Sequence, residues 1–284
     1  MTDRGLITDA QNTWCPGCGN FVIQFALRDA IQSVIDSGIE RERIVLVTGI
    51  GCHAKMADYL NVNSFYSIHG RTVPVATAIK MARPDLTVIC CAGDGDAYAE
   101  GLDHLVFAAK RNSDITVIVH NNRVYGLTTG QYTPTSPLGF RGRSTPGGTR
   151  EEPFNPLEIM LSSGATYVAR GCTRRKKNLE KVIGEGIRHR GFAFIDVLQV
   201  CASYFNLSDV YDRHVYELGE GHREDNFSGA FEKAREWDYN SESPISIGIF
   251  YRTLRPTLEE RMEKPPGQIM NRPALITKIL ESRT

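Results

Sequence analysis

The chain has 284 residues, 41% hydrophobic and 23% charged, and its 33 basic side chains balance 33 acidic ones. That length suits one large α/β domain or two small ones; the balanced, well-mixed charge excludes a nucleic-acid footprint, and no run of about 18 apolar residues is present to span a membrane. The opening MTDRGLITDAQNTW has no apolar h-region, so no signal peptide is expected and a cytoplasmic location is, where seven cysteines point to metal or redox work rather than a disulfide framework.

In chain order, the first feature is WCPGCGN, Trp14–Asn20, whose two cysteines suit a redox dithiol, half a zinc knuckle or half an iron–sulfur site. A helix is predicted around 20–36, then a buried strand ending in a Gly-rich turn, RIVLVTGIGC (43–52). SFYSIHG (64–70) reads as a shorter strand and VPVATAIKMA (73–82) as a helix. LTVICCAGDG (86–95) is a second strong strand, YAEGLDHLVFAAKRN (98–112) an amphipathic helix and ITVIVHNN (115–122) a third strong strand. Residues 123–155 form a Gly-, Thr-, Pro- and Arg-rich segment longer than ordinary connections, as functional or disordered loops are. A further helix (NPLEIMLSSG) and strand (TYVAR) follow, then a charged helix at 176–190 and the strand AFIDVLQVC (193–201). Residues 202–284 begin polar, contain one strand at PISIGIFYR and finish rich in Pro and charge. Buried strands alternating with helices imply an α/β fold, a doubly wound, mostly parallel sheet covered on both faces. The expected organisation is one domain over 1–205 and an irregular C-terminal arm over 206–284, packed on that domain and on a partner subunit.

Ligands of open α/β sheets collect outside the carboxyl ends of the strands. Here those ends carry Cys52, His69–Gly70, Asp94, Asn121–Asn122 and Cys201. Each alone is accounted for as a turn former; five converging on one edge point to a site. Asp94 and Asn122, at the ends of neighbouring strands, offer two hard oxygens of the kind Mg²⁺ takes alongside water and phosphate. Glycines on both sides of Asp94 admit a phosphate to the start of the next helix. GDG followed by a helix, a strand and NN is the signature of thiamine-diphosphate enzymes.

These motifs, with CPGCGN, GIGC, HGRTVPVATAIKMA and YGLTTGQ, resemble the β subunit of 2-oxoacid:ferredoxin oxidoreductases over roughly residues 12–205, and more loosely beyond. The resemblance implies the thiamine-diphosphate-binding fold, specifically its pyrophosphate-binding half. It implies Asp94, Asn122 and the backbone carbonyl of Val124 as Mg²⁺ ligands. Ile50, Gly51, Cys52, His53, His69, Gly95, Asp96, Gly126 and Leu127 would contact the cofactor. It selects Cys15, Cys18, Cys52 and Cys201 as ligands of a [4Fe–4S] cluster. Four thiolates by themselves suit zinc equally well; adjacent thiamine chemistry, which must deliver electrons, favours iron–sulfur. Cys90, Cys91 and Cys172 read as structural. Thr129 stands where many relatives carry a substrate-contacting Lys, and a neutral hydroxyl cannot pair with a second carboxylate as an ammonium does. His53 and Lys55 replace small residues usual after the cluster cysteine. Lys177, in the basic run TRRKKN (173–178), matches a family Lys for coenzyme A phosphates, or is simply solvated. The implied activity is oxidative decarboxylation of a 2-oxoacid, 2-oxoglutarate favoured, with coenzyme A to acyl-CoA and CO₂, electrons passing to ferredoxin. Pyruvate or branched-chain specificity is the nearest alternative; a non-oxidative thiamine decarboxylase or synthase is the next, and it would not need the four cysteines. An α subunit would supply the pyrimidine-side Glu and most of the substrate site, in a heterodimer or dimer of heterodimers, leaving this chain inactive alone.

Overall fold

A computed structural model of the chain describes residues 5–262, 277–278 and 280–282. In it the apolar runs become one sheet. Its strands are β1 (Ile44–Thr48), β2 (Asn63–Tyr66), β3 (Thr87–Gly93), β4 (Thr116–Asn121), β5 (Tyr167–Cys172), β6 (Ala193–Leu198), β7 (Val215–Glu217) and β8 (Ile245–Arg252). They lie in the order β2-β1-β3-β4-β6-β5-β8-β7, with β1 to β6 pairing in parallel and β8 antiparallel to β5. The helices are α1 (Asn20–Asp36), α2 (Met56–Tyr59), α3 (Thr72–Ala82), α4 (Leu102–Arg111), α5 (Pro156–Ser162), α6 (Lys176–Arg188), α7 (Ser208–His214), α8 (Phe227–Ala234) and α9 (Leu258–Arg261).

Strand side chains alternate between faces, and the central strands show what this does to the core. Ile89 and Cys91 of β3, Ile118 of β4 and Ala193, Ile195 and Val197 of β6 join a core with α1 and α6. Their neighbours Val88, Cys90, Val117, Val119 and Phe194 join the opposite core, under α4, α5 and α8. Near-continuous apolar runs are therefore what a sheet covered on both faces requires.

The chain leaves β1 for the edge strand β2 and then crosses back to β3 on the other side of β1. This places a topological switch point between β1 and β3, where a crevice opens at the carboxyl edge. GIGC and GDG are the two turns that flank it.

Three expectations are corrected. The helix read from residue 98 starts at Leu102, because Gly95–Ala99 first form a π-turn and Gly101 intervenes. The strand read through residue 70 stops at Tyr66. The C-terminal arm carries the strand expected at PISIGIFYR as β8 and more order than an irregular arm would: β7 and β8 extend the same sheet, and Trp237, Tyr239, Ile245 and Ile247 build a third core with Val200 and Leu198. Short helices among long polar connections hid this from the hydropathy pattern. The Pro-rich stretch near the terminus lies largely outside the described residues. Residues 123–155 contain no helix or strand, but buried hydroxyls of Thr133, Thr135 and Ser136 tie them down.

Candidate functional site

A cleft at the switch point is lined by Ile50, Gly51, Cys52 and His53 from the turn after β1, His69 after β2, and Gly93, Asp94, Gly95 and Asp96 after β3. His120, Asn122, Val124, Tyr125, Gly126, Leu127 and Thr128 come from the end of β4 and its hairpin, and Gln199 from beyond β6. Every residue expected to contact the cofactor or Mg²⁺ is thus brought to one place. Thr129 and Lys177 are not. Thr129 sits just behind Thr128 with φ of 76°, its Oγ1 accepting from Arg143 Nη1 at 3.3 Å. Lys177 is exposed and borders a separate depression with Ala30, Ser33 and Gly184.

Asp94 is only 2% exposed. Its Oδ2 accepts from Thr133 Oγ1 at 2.5 Å and Thr135 Oγ1 at 3.2 Å. Burial outweighs these hydroxyls and pushes the carboxyl up to about 7. A buried carboxylate with only neutral partners is a fitting ligand for a cation. Asn122 Oδ1 accepts the Val124 N–H at 3.0 Å, turning the chain so that Asn122 and Val124 both face the cleft. Gly95 must be glycine, because a Cβ there would enter the Tyr125 ring.

Asp96 is engaged differently. Its Oδ1 accepts the Gly70 N–H at 2.6 Å and lies 3.0 Å from His69 Nδ1, and its Oδ2 lies 3.4 Å from His53 Nε2. Burial opposes the charge, but His53, the Gly70 amide and His69 together hold the carboxyl below its usual range. Asp96 therefore sets a negative charge between the two imidazoles, while His53 Nε2 and His69 Nδ1 make no hydrogen bond among the described residues.

The cysteines gather beside this cleft. Cys18 N–H donates to the Cys15 carbonyl at 3.1 Å, with Gly17 at φ 78° completing the turn. Gly19 N–H donates to the Val200 carbonyl at 2.9 Å, docking the loop beside Cys201. A Cβ on Gly19 would meet Gln199 Cγ at 2.7 Å, so this approach requires glycine. Trp14 Nε1 donates to the Cys52 carbonyl at 2.7 Å, tying the same loop to the GIGC turn. Burial pushes the Cys18 thiol up to about 11 despite the Asn20 amide, and Cys52, Cys201 and Cys15 add to the effect. Burial likewise raises Cys52. Thiols held up by burial, as Cys18 and Cys52 are, become thiolates readily only around positive charge. Among the described residues no three His, Cys, Asp or Glu side chains close on a single-ion site. Cys90, Cys91 and Cys172 are fully buried, and burial pushes Cys91 and Cys172 up to about 12.

Sequence reasoning missed the polar network beneath Asp94. Thr135 Oγ1 shares its one proton between Asp94 and Asn121 Oδ1, the latter at 2.9 Å, Asn121 Nδ2 donates to Asp196 Oδ1 at 2.9 Å, and Tyr98 and Tyr239 hydroxyls donate to Asp196 at 2.7 and 3.0 Å. Arg170 Nη2 donates to the Tyr239 hydroxyl at 3.0 Å, so the C-terminal residues help hold the floor of the cleft. Buried polar residues inside apolar strands, Arg170 and Asp196, were the available signal. His120 was missed as well: fully enclosed, it is held well below the usual imidazole range by burial and by His53.

Residues 49–197 match the family described as thiamine pyrophosphate enzyme, C-terminal TPP binding domain, and residues 201–265 match the family describing the C-terminal part of the pyruvate ferredoxin oxidoreductase beta subunit. The chain is 41% identical over 280 residues to the 2-oxoacid:ferredoxin oxidoreductase subunit beta of Saccharolobus solfataricus, covering 93% of this chain and 90% of that one. It is 42% identical over 198 residues to the 2-oxoglutarate oxidoreductase subunit KorB of Mycobacterium tuberculosis, covering 70% of this chain and 52% of that one. Among solved structures it resembles the 2-oxoglutarate:ferredoxin oxidoreductase of Magnetococcus marinus with 2-oxoglutarate, coenzyme A and succinyl-CoA bound. That likeness has a TM-score of 0.88 at 32% identity, covering 98% of this chain and 96% of the other.

Proposed function

Because this chain belongs to the β-subunit family of 2-oxoacid:ferredoxin oxidoreductases, we propose that it oxidatively decarboxylates a 2-oxoacid, 2-oxoglutarate favoured, with coenzyme A and ferredoxin, in a complex with an α subunit. The observation that carries this is at Gly126. A Cβ there would stand 3.7 Å from Asn122 Nδ2, from Cys52 Sγ and from Cys201 Sγ. The amide expected at the metal and two thiols expected at the cluster thus meet around one glycine.

Thiamine diphosphate, when bound, supplies a carbon nucleophile for the 2-oxo carbon. A [4Fe–4S] cluster on Cys15, Cys18, Cys52 and Cys201 would supply a one-electron acceptor beside it. Asp94, Asn122 and the Val124 carbonyl would hold Mg²⁺ against the diphosphate, and Gly95 admits the phosphates to the turn after β3. Asp96 faces His53 and His69 at the cleft wall as their nearest carboxylate charge. Gly126 and Leu127 would close over the cofactor, while Thr129 and its donor Arg143 stand behind the hairpin, outside the cleft lining. Lys177 would meet coenzyme A phosphates only at the outer surface.

Anaerobic purification with the α subunit, followed by iron, sulfide and zinc analysis, tests the reading. Four irons per chain and coenzyme A-dependent ferredoxin reduction are expected, faster with 2-oxoglutarate than with pyruvate or branched 2-oxoacids. Zinc without iron would sink the electron-transfer role, and preference for pyruvate would overturn the substrate.

A further inference from the structure

Asn20 closes the CPGCGN stretch and opens α1, yet its side chain is fully buried. Its Oδ1 lies 2.7 Å from Nδ1 of His120, the penultimate residue of β4. His120 is 1% exposed and lines the cleft, and its Nε2 has no hydrogen-bond partner among the described residues. With the Asn20 amide assigned so that Oδ1 faces the ring and Nδ2 is left unpartnered, the neutral imidazole carries its proton on Nδ1 and offers Nε2 as an acceptor. Buried polar atoms are normally satisfied, so an orphaned one in a ligand cleft marks where a ligand completes the bonding. Gln199 makes a second bridge of the same kind. It lines the cleft, and its Nε2 donates to Cys18 Sγ at 3.6 Å.

We propose that His120, oriented by Asn20, is a binding residue for the organic half of thiamine diphosphate, its Nε2 accepting from an N–H or polarised C–H of the cationic ring system. A lone pair repels phosphate oxygens and attracts an azolium edge, so Nε2 selects against the diphosphate end, which Asp94, Gly95 and Asn122 take. The inference rests on the thiamine-dependent reading of the cleft and adds to it a residue that ties the cysteine loop to the cofactor.

The test is calorimetry on the complex of this chain with its α subunit, titrating Mg²⁺ with thiamine diphosphate and, separately, Mg²⁺ with inorganic diphosphate. His120→Phe keeps an aromatic ring without the acceptor and is expected to weaken thiamine diphosphate by about tenfold, the loss of one hydrogen bond. His120→Gln places an amide where Nε2 was and should stay within about threefold of wild type, well inside one hydrogen bond's worth. Asn20→Ala releases the ring and should match His120→Phe. Inorganic diphosphate should bind all of these equally. An unchanged affinity in Asn20→Ala, an equal loss for both ligands, or His120→Gln as weak as His120→Phe would each overturn the proposal. Should His120→Phe fail to assemble, Asn20→Ala and His120→Gln decide it. Wild-type complex that binds inorganic diphosphate but not thiamine diphosphate would instead fault the cofactor reading itself.

Discussion

Burial, against the pull of two threonine hydroxyls, keeps a proton on Asp94 at the centre of the cleft until the pH approaches neutrality, since the carboxyl sits at about 7 against an ordinary 3.8. A folded-state pKa raised above the unfolded one contributes stability that is present below about pH 4 and lost as the pH rises through about 7. A cation on the carboxylate reverses that trend, because it binds only the deprotonated form. Mg²⁺ with thiamine diphosphate should therefore raise the melting temperature of the complex more at pH 8 than at pH 6. Asp94→Asn should remove that difference and weaken cofactor binding by at least about 100-fold, while leaving the cofactor-free melting temperature at neutral pH unchanged or higher. Thermal melts of both proteins at the two pH values check this; equal ligand increments at both would count against a metal-binding Asp94. Asp196, also raised by burial although Arg170, Tyr98 and Asn121 lower it, is retained in the variant, so the comparison isolates Asp94. Asp94 and Asn122 were legible in the sequence because strand ends in a parallel sheet converge by topology. Thr133 and Thr135 were not, since they reach Asp94 from a segment with no periodicity.

The hairpin after β4 meets the π-turn after β3 where Tyr125 packs against Gly95. The Tyr125 hydroxyl donates to the Gly95 carbonyl at 3.2 Å, and its N–H donates to the Gln131 carbonyl at 2.8 Å. Gly95→Ala should push Tyr125 out and open the hairpin that carries Gly126 and Leu127, destabilising the fold by about 1–3 kcal/mol. Cofactor affinity should fall by about tenfold or more, since positioning errors at a site are costly; calorimetry beside a denaturation curve separates the two effects. In the same hairpin Thr129, β-branched, is held at φ 76°. Left-handed backbone at such a residue costs about 1–3 kcal/mol. Thr129→Gly should accordingly raise the melting midpoint despite losing its bond from exposed Arg143, and a lowered midpoint would show that bond to matter more than the strain. Regular elements were readable wherever apolar residues kept one period. The π-turn was not, because a glycine-rich start and a helical hydropathy pattern look alike whether the turn is α or π. β7 and β8 were half readable: PISIGIFYR declares a strand, but its antiparallel seat beside β5 depends on pairing with residues more than 70 positions away.

Taken as a molecule, the sheet gathers its chemistry along one carboxyl edge and leaves it half enclosed. The cleft holds about 90 Å³, well below the 300–1,000 Å³ typical of sites that surround a ligand. Ile50 and Leu127 on its wall remain 40% and 51% exposed, and Phe65 and Ile68 near the β2 edge are 50% and 72% exposed. A β subunit of this family has an α-subunit partner, and apolar side chains left in water around an incomplete cleft are what a partner surface covers. On the proposed function Asp94, Asn122 and Gly95 of this chain hold the diphosphate end of the cofactor, whereas the mouth of the cleft at Ile50 and Leu127 stays open to solvent until a partner closes it. The isolated chain should therefore bind Mg²⁺ with inorganic diphosphate nearly as well as the complex does. It should bind thiamine diphosphate at least about tenfold more weakly than the complex, because the apolar area of the rings stays hydrated. Calorimetry with both ligands on the isolated chain and on the complex gives the two ratios. Equal thiamine diphosphate affinities would place the whole cofactor site within this one chain, and equal losses for both ligands would mean that the partner orders the metal site as well.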